Sequence, residues 1–443
     1  MMKKKKLSIQ KMFNIVSFIF LLTCCIFYGG RFIKLYLENK EKVVIEANTL
    51  GKDIIVKNTD TLKNINNEYY FNGNVDNNYV LYSGILWRVI KVGENNVITM
   101  ISDHSLTTLA FGENKTYEES YINTWLNKND SEYSGILEKN LNSMITYLKQ
   151  ADLCTDKIDD ISNSDCTNIN NDYFITTLSI SDYINTGASD GFINTSENFY
   201  LSNTTTDNQV WYVNTDGKMN NSEGTDIYGI KPVIKTKDNL NLVSGEGTKE
   251  NPYVIESSFG LFGSYVKLGD DLWKVIDVSD DKVKLVYSDY LKNGNDYISY
   301  KYSNYNATYD QNKYGTLAYY LNKTFLNSLS YKDLVVENTY SNGYYGKDNN
   351  YDYTDSLNNT VSAKVALVNV GDINVNSDLY NYATMTVSSK KNNFIYTVQK
   401  DSNPYAKIIS TTSYVVPVIT INNTEFKGAG TITDPYVVVS ENE

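Results

Sequence analysis

Residues 245–253 read Gly-Glu-Gly-Thr-Lys-Glu-Asn-Pro-Tyr, and residues 428–436 read Gly-Ala-Gly-Thr-Ile-Thr-Asp-Pro-Tyr. The two strings share the pattern Gly-x-Gly-Thr-x-x-Asn/Asp-Pro-Tyr and lie 183 residues apart. Glycine permits the positive φ angles of a tight turn, and Asn or Asp before proline starts a turn. Each string therefore predicts a turn that leads into a short closing strand, and its recurrence indicates a duplicated domain.

Other segments recur in the same order and with similar spacing. Leu-Trp-Arg-Val-Ile at 86–90 matches Leu-Trp-Lys-Val-Ile at 272–276, and Trp-Leu-Asn at 125–127 matches Tyr-Leu-Asn at 320–322. The period is too long for a solenoid, so it predicts two tandem globular domains. We interpret the repeated residues as packing and turn positions rather than as chemistry. These structural landmarks are Trp87, Trp125, Trp211, Pro232, Gly245, Gly247, Pro252, Tyr253, Trp273, Tyr320, Tyr396, Pro417, Gly428, Gly430, Pro435 and Tyr436.

Short β-rich runs separated by turn residues begin each repeat, which is the pattern of an antiparallel meander. Apolar spacing predicts a helix around Ile122, Trp125 and Leu126, with a counterpart at 317–321, and a second helix over 136–148. The 39 tyrosines are attributed mainly to genome composition and strand packing. The predicted fold class is α+β, with a transmembrane helix followed by two domains rich in antiparallel strands.

The ordered motifs also resemble a known domain family. Leu-Trp-Arg/Lys-Val-Ile, Trp/Tyr-Leu-Asn, Trp/Tyr-x-Val, Ile-Lys-Pro-Val-Ile and the glycine string are similar to a family of unknown function in surface proteins of low-G+C Gram-positive bacteria. That family resembles the C-type-lectin-like fold of formylglycine-generating enzymes. The resemblance implies two C-type-lectin-like domains, repeat 1 at 68–256 and repeat 2 at 257–443. Repeat 1 keeps Gly-Ile-Lys-Pro-Val at 229–233, whereas repeat 2 has Ser-Tyr-Val-Val-Pro at 413–417.

The chain departs from the functional motifs of related folds. Formylglycine-generating enzymes bind copper with a cysteine pair, whereas only Cys154 and Cys166 are available here, in a divergent loop of one repeat. Calcium-dependent lectins carry Glu-Pro-Asn or Gln-Pro-Asp, whereas this chain has Glu-Asn-Pro at 250–252. We therefore predict no enzyme activity, no cofactor and no metal-binding residues. Residues 348–355 alternate oxygen-bearing side chains but lack the central glycine and final glutamate of a calcium loop, so a weak calcium site there stays an open alternative.

Residues 12–30 form an apolar run of the length that crosses a bilayer. Lysines 3–6 precede this run and favour a cytoplasmic N-terminus. We expect a cytoplasmic tail at 1–11, a transmembrane helix at 12–30, a helical spacer at 31–67 and an extracellular C-terminal part at the cell membrane. A cleaved signal peptide is the alternative, although Gly-Gly at 29–30 is a poor cleavage site.

Charge and cysteine content limit the possible partners. The first 50 residues carry a net charge of +6 and the remainder −18, so nucleic-acid binding is not expected. Cys154 and Cys166 lie 12 residues apart in repeat 1 and are predicted to form a disulfide, with free thiols as the alternative. His104 is far from them in sequence and no third cysteine is near, so a metal site is disfavoured. We interpret His104 as a surface residue rather than a catalytic one.

These features together predict a membrane-anchored binding or scaffold protein that contacts cell-wall glycan or another surface protein. One alternative is an enzyme with a carboxylate site in a divergent loop. Another is a structural stalk of β-sandwich modules with Lys–Asn isopeptide crosslinks. Variable loops commonly carry function on rigid scaffolds, so a ligand site is expected in the divergent loops 150–172 and 338–360.

Overall fold

The structure, a computed structural model, describes residues 49–112, 116–127, 147–255, 261–279, 281–341, 360–372, 379–388, 393–398 and 404–439. The predicted cytoplasmic tail, the predicted transmembrane segment and most of the predicted spacer lie outside these ranges. So do the calcium-like loop at 348–355 and the second predicted helix, apart from its last two residues.

Repeat 1 consists mainly of short strands with a few short helices between them. Its helices are α1 (Leu50–Lys57), α2 (Tyr121–Asn127) and α3 (Ile180–Asn185), with 3₁₀ turns at Glu94–Asn96, Ile161–Asn163 and Ala188–Asp190. Its strands are β1 (Leu62–Ile65), β2 (Glu68–Phe71), β3 (Tyr79–Tyr82), β4 (Ile85–Val92), β5 (Ile98–Ser102), β6 (Thr107–Leu109), β7 (Leu148–Lys149), β8 (Leu153–Cys154), β9 (Ile169–Asn170), β10 (Ile175–Thr177), β11 (Phe199–Thr204), β12 (Val210–Val213), β13 (Met219–Ser222), β14 (Tyr228–Ile230), β15 (Pro232–Thr236), β16 (Leu242–Ser244) and β17 (Tyr253–Ile255).

Repeat 2 has the same character. Its helical stretch comprises α4 (Leu317–Tyr319), a π-helical segment (Tyr320–Phe325) and α5 (Leu326–Ser328). Its strands are β18 (Tyr265–Leu268), β19 (Asp271–Val278), β20 (Lys282–Tyr287), β21 (Lys292–Asn293), β22 (Asp296–Tyr297), β23 (Ser299–Lys301), β24 (Asn338–Ser341), β25 (Thr360–Ala363), β26 (Val365–Leu367), β27 (Tyr382–Val387), β28 (Phe394–Val398), β29 (Pro404–Ile408), β30 (Thr412–Tyr414), β31 (Pro417–Asn422), β32 (Phe426–Lys427) and β33 (Tyr436–Val438).

The two repeats share one strand topology. The main sheet of repeat 1 has the order β10-β15-β5-β4-β3-β17-β16, and that of repeat 2 has the order β26-β31-β20-β19-β18-β33-β32. The second sheets also correspond, with the orders β13-β12-β11-β14-β6 and β29-β28-β27-β30-β23. Repeat 1 differs because β1, β2 and β7 attach to its main sheet. The duplication in the sequence is therefore a duplication of the fold.

The repeated tryptophans lie in the centres of the two main sheets. Trp87 on β4 and Trp273 on β19 are fully buried. Trp87 Nε1 donates to Tyr82 O at 3.0 Å, and Trp273 Nε1 donates to Tyr331 Oη at 3.1 Å. Each indole group thus has a hydrogen-bond acceptor for its N–H group while it buries a large apolar surface. The landmark side chains Trp125, Trp211 and Tyr396 are also buried.

The glycine strings close each main sheet. Gly245 and Gly247 have φ angles of +96° and +85°, and a Cβ at Gly245 would collide with the carbonyl oxygen of Pro252. These turns direct Tyr253 into β17, which pairs in parallel with β3 near the start of the repeat. In repeat 2 the same turn directs Tyr436 into β33, which pairs in parallel with β18.

Each repeat has its own hydrophobic core, and the repeats contact each other between the cores. Trp125 Nε1 donates to Gly371 O at 2.9 Å, and a small buried cluster joins Ile227 to Val370 and Tyr396. The core of repeat 1 includes Leu50 from α1. The core of repeat 1 therefore includes residues of the segment that the sequence analysis assigns to a spacer.

The predicted fold class needs correction. The described residues are mainly β rather than α+β, because the apolar spacing that predicts helices lasts only one to three turns, as in α2 and the 317–328 stretch. No helix in the described ranges is long and apolar enough to cross a membrane, and this finding contradicts the predicted single-pass anchor and cell-membrane localisation. Residues 12–30 themselves lie outside the described ranges.

Candidate functional site

An open cleft of about 430 Å³ lies on repeat 1. Its walls are the β1–β2 hairpin, the start of α3 and residues 152–169, which we call the disulfide loop. Its volume lies within the range of small-molecule sites, about 300–1,000 Å³. Hydroxyl, amide and carboxylate groups line much of it, from Asn66, Glu68, Asp152, Asp165, Ser181, Asp182 and Asn185.

Lys91 on β4 is almost fully buried and lies at the bottom of the cleft. Its Nζ contacts Glu68 Oε2 at 2.9 Å, Tyr70 Oη at 3.0 Å and Asp182 Oδ1 at 3.3 Å. Burial opposes the charge on Lys91, but Asp182, Tyr70 and Glu68 together outweigh it and raise the pKa of Lys91. The ammonium group therefore stays charged and holds two carboxylates in fixed positions.

The disulfide loop forms the opposite wall. Cys154 and Cys166 are joined by a disulfide, with their Cα atoms 5.8 Å apart. Asp156 closes the same loop by accepting hydrogen bonds from the backbone N–H groups of Thr167 at 2.6 Å and Asn168 at 3.0 Å. Slight burial opposes the charge on Asp156, but these hydrogen bonds lower its pKa. A covalent link and a set of hydrogen bonds thus fix the wall before a ligand arrives, which reduces the entropy lost on binding.

Asp156 lies close enough to both sulfur atoms to form a three-ligand cluster that the sequence analysis did not foresee. The sulfur atoms bond to each other, and the Asp156 carboxylate is occupied by N–H and O–H donors from residues 167 and 168. A metal ligand must have a free lone pair, so these contacts explain Asp156 as a support for the loop rather than as a metal ligand.

The cleft belongs to repeat 1 alone among the described residues. The strand registers place Asp277 of repeat 2 at the position of Lys91. The strands β1 and β2, which carry Glu68 and Tyr70, have no counterpart in the sheets described for repeat 2. The two repeats therefore share a scaffold but not this site.

His104 lies in a second polar cluster of repeat 1, away from the cleft. Its Nε2 is 3.2 Å from Asp103 Oδ2 and its Nδ1 is 3.5 Å from Glu197 Oε1. Burial opposes the imidazolium, but the two carboxylates outweigh it and raise the pKa of His104 to about 9. The side chain is 31% exposed, so it is not the simple surface residue that the sequence suggests.

The cluster is not arranged for nucleophilic catalysis. Ser102 Oγ donates to the backbone oxygen of His104 at 2.7 Å, and Ser105 Oγ donates to Glu197 Oε2 at 3.1 Å. A serine nucleophile needs a neutral imidazole as its base. Here the ring is charged at neutral pH and both hydroxyl groups donate elsewhere, so we expect the cluster to stabilise repeat 1 rather than to act in catalysis.

Lys231 completes the cluster from the Ile-Lys-Pro-Val-Ile motif. It is 1% exposed, and its Nζ contacts Ile193 O and Thr195 Oγ1 at 3.1 Å each. Burial lowers the pKa of Lys231, while the charges of Glu197 and Asp103 act to raise it. The parallel pair β11–β14 of repeat 1 corresponds to the parallel pair β27–β30 of repeat 2. This alignment places Val416 at the position of Lys231 and Tyr380 at the position of Glu197. The charged cluster is therefore also specific to repeat 1.

The cluster predicts a defined pH range of stability. The folded-state pKa of His104, about 9, lies above its ordinary value of 6.5, so its contribution is full below pH 6.5 and is lost as the pH rises through 9. Burial opposes the charges of Asp103 and Glu197, but His104 and Lys231 outweigh it and lower both pKa values to about 2, so the contribution of these carboxylates is lost as the pH falls below about 4.5. We expect repeat 1 to be most stable between about pH 4.5 and 6.5.

The test is the melting temperature of the full chain and of a His104→Gln variant between pH 6 and 9. One titrating group changes the free energy of unfolding by at most about 1.4 kcal/mol per pH unit. The wild type should lose stability across this range, and the variant should lose much less. An equal slope in both proteins would show that His104 does not cause the alkaline loss.

A position-by-position comparison of the two repeats could have pointed to these sites from the sequence alone. The positions of Lys91 and Lys231 carry Asp277 and Val416 in repeat 2, and such changes at equivalent strand positions mark where the repeats differ in chemistry. No protein-family model matches this chain, and no curated protein or solved structure was found to be similar to it.

Proposed function

We propose that this chain is a non-enzymatic binding protein with two tandem C-type-lectin-like domains, and that repeat 1 binds a neutral or amino saccharide in the cleft. The main support for this proposal is the cleft, whose polar wall combines hydroxyl, amide and carboxylate groups around the buried Lys91. A saccharide offers many hydroxyl groups, each able to donate and accept, and so matches such a wall.

The charges of the cleft favour a neutral or basic ligand. Four carboxylates line it, from Glu68, Asp152, Asp165 and Asp182. Lys91 contacts two of them, and Lys235 contacts Asp152 at 2.7 Å. Two ammonium groups against four carboxylates leave the wall acidic, so an anionic sugar would be repelled while an amino sugar would be attracted.

The same ion pairs favour binding over catalysis. A carboxylate that acts as a general acid or base must be free to exchange a proton with the substrate. Glu68, Asp152 and Asp182 each lie within 3.3 Å of a lysine ammonium group. This pairing holds their oxygen atoms as fixed acceptors, which suits the orientation of ligand hydroxyl groups.

A saccharide array tests the proposal. The full chain should bind a subset of neutral or amino saccharides, and a Ser181→Tyr variant should bind them at least tenfold more weakly. Ser181 lines the cleft on the first turn of α3, so the tyrosine ring would occupy ligand space. No binding to any neutral or amino saccharide would refute the proposal.

The matched control is Ser189→Tyr, which places the same ring at an exposed position that is not part of the cleft lining. This variant should bind like the wild type. Equal loss in both variants would indicate that the added aromatic ring, rather than the filled cleft, weakens binding.

A further inference from the structure

A cluster of tyrosines covers part of the surface of repeat 2, which we call the tyrosine surface. It comprises Tyr300 on β23, Tyr305, Tyr314, Tyr319 and Tyr320. Tyr314 is 77% exposed and Tyr305 is 58% exposed, and the other three are half-buried. Most other aromatic side chains in the described ranges lie in or against the two cores.

The rings are held in fixed relative positions. Tyr300 and Tyr320 stack with their centroids 4.9 Å apart and an interplanar angle of 20°, and Tyr314 meets Tyr319 edge-on at 5.4 Å. Tyr320 begins the π-helical segment, a conformation that is frequent at functional sites. The surface is therefore preorganised, which lowers the entropic cost of binding a ligand.

The hydroxyl groups of these five tyrosines have no hydrogen-bond partner among the described residues. Two buried tyrosines of the same repeat differ, because Tyr309 Oη donates to Val365 O at 2.8 Å and Tyr290 Oη donates to Tyr380 O at 2.8 Å, although the buried Tyr302 hydroxyl group has no partner in the described ranges. The tyrosine surface thus presents polar tips as well as ring faces to solvent.

The segment is also basic within an acidic chain. Residues 300–323 contain three lysines and one acidic residue, Asp310, whereas the whole chain has a net charge of −12. Lys313 Nζ lies 4.7 Å from the centroid of the Tyr305 ring, and Lys323 is exposed one turn after Tyr319. Neither ammonium group has an ion-pair partner among the residues that the structure describes. The equivalent helix of repeat 1 is instead preceded by Glu118 and Glu119.

We infer that the tyrosine surface is a second binding site, and that its ligand is an acidic saccharide chain carrying uronate groups. Tyrosine rings present an apolar face to the C–H face of a sugar, and their hydroxyl groups can bond to sugar hydroxyls. Lys313 and Lys323 supply charge-assisted hydrogen bonds to carboxylates. This site goes beyond the cleft of repeat 1, because it lies on the other repeat and takes a ligand of opposite charge.

A saccharide fits this surface better than single-stranded nucleic acid. Stacking proteins for nucleic acid combine aromatic rings with a positively charged groove that follows the phosphates. Here two lysines and several free hydroxyl groups surround the rings, and the segment contains no arginine. A ligand with spaced carboxylates and many hydroxyl groups matches this composition.

Titration of the full chain with oligogalacturonate, an uncharged galactan oligosaccharide and oligothymidylate tests the inference. We expect oligogalacturonate to bind most tightly, and to bind more weakly as salt concentration rises. Tyr314→Ala should weaken this binding at least tenfold, and Lys313→Gln should weaken it and reduce its salt dependence. Both side chains are exposed, so the variants should fold normally.

Two control variants test whether the loss of binding is specific to the tyrosine surface. Tyr405→Ala removes a tyrosine that is 64% exposed on β29 outside the tyrosine surface, and its affinity should stay within twofold of wild type. Ser181→Tyr should also leave oligogalacturonate binding unchanged, whether or not the cleft binds a saccharide. The inference is overturned by absent oligogalacturonate binding, by equal affinity for the uncharged oligosaccharide, by tighter binding of oligothymidylate, or by an unaffected Tyr314→Ala variant.

Discussion

Replacement of Trp87 with alanine is expected to destabilise repeat 1 by about 3–5 kcal/mol, the usual cost of truncating a buried aromatic side chain. The indole is fully buried on the central strand β4, and its removal also deletes the hydrogen bond of 3.0 Å from Trp87 Nε1 to Tyr82 O. A domain is typically stable by only about 5–15 kcal/mol, so the loss is a large fraction of the total. The measurement is amide hydrogen exchange along the chain in increasing urea.

The two cores predict that this effect is local. Trp87 belongs to the core of repeat 1 and Trp273 to the separate core of repeat 2. Exchange should therefore accelerate in β3–β5 of the Trp87→Ala variant while β18–β20 stay protected. Trp273→Ala should give the reverse pattern. Equal acceleration in both repeats of either variant would show that the contacts around Val370 and Tyr396 make them one cooperative unit.

Replacement of Glu197 with glutamine is expected to cost a similar amount, about 3–5 kcal/mol, because it breaks a buried group of charges by removing one partner. Glu197 is 3% exposed, and its Oε2 accepts from Ser105 N at 3.0 Å and Thr195 Oγ1 at 3.0 Å. The glutamine would remove the negative charge of the carboxylate near the buried Lys231. Its amide N–H group would also face Ser105 N and Thr195 Oγ1, which are themselves donors. Urea denaturation at pH 6 measures the change.

Glu223→Gln is the matched control, because Glu223 is an exposed glutamate of the same repeat. Exposed substitutions away from special features usually change stability by less than about 0.5 kcal/mol. A Glu197→Gln variant as stable as this control would show that the charged cluster contributes nothing to folding.

The duplication of the scaffold can be predicted from the sequence. Trp87 and Trp273 stand in valine- and isoleucine-rich runs, and each run becomes the central strand of the main sheet of its own repeat. The turns at the glycine strings can also be predicted from local sequence, because the positive φ angles of Gly245 and Gly247 arise within a single turn. Apolar spacing also correctly predicts the helix at 121–127 and the start of the 317–328 stretch, but helices this short leave the described residues mainly β.

The candidate sites depend on contacts between distant parts of the chain. Lys91 meets Glu68 across 23 residues, and Tyr70 meets Asp182 across 112 residues. No periodicity or motif specifies such pairs, because the folded sheet rather than the local sequence brings them together. His104 looked like an isolated surface residue for this reason, since its partner Glu197 lies on a distant segment.

A crystal structure of the full chain with the saccharide selected by the array will show whether the cleft of repeat 1 holds a sugar. We predict density for the sugar between α3 and the disulfide loop, with its hydroxyl groups within hydrogen-bond distance of Asp182 and Asn185. Sugar density elsewhere on the protein, with the cleft filled by water alone, would contradict the proposal.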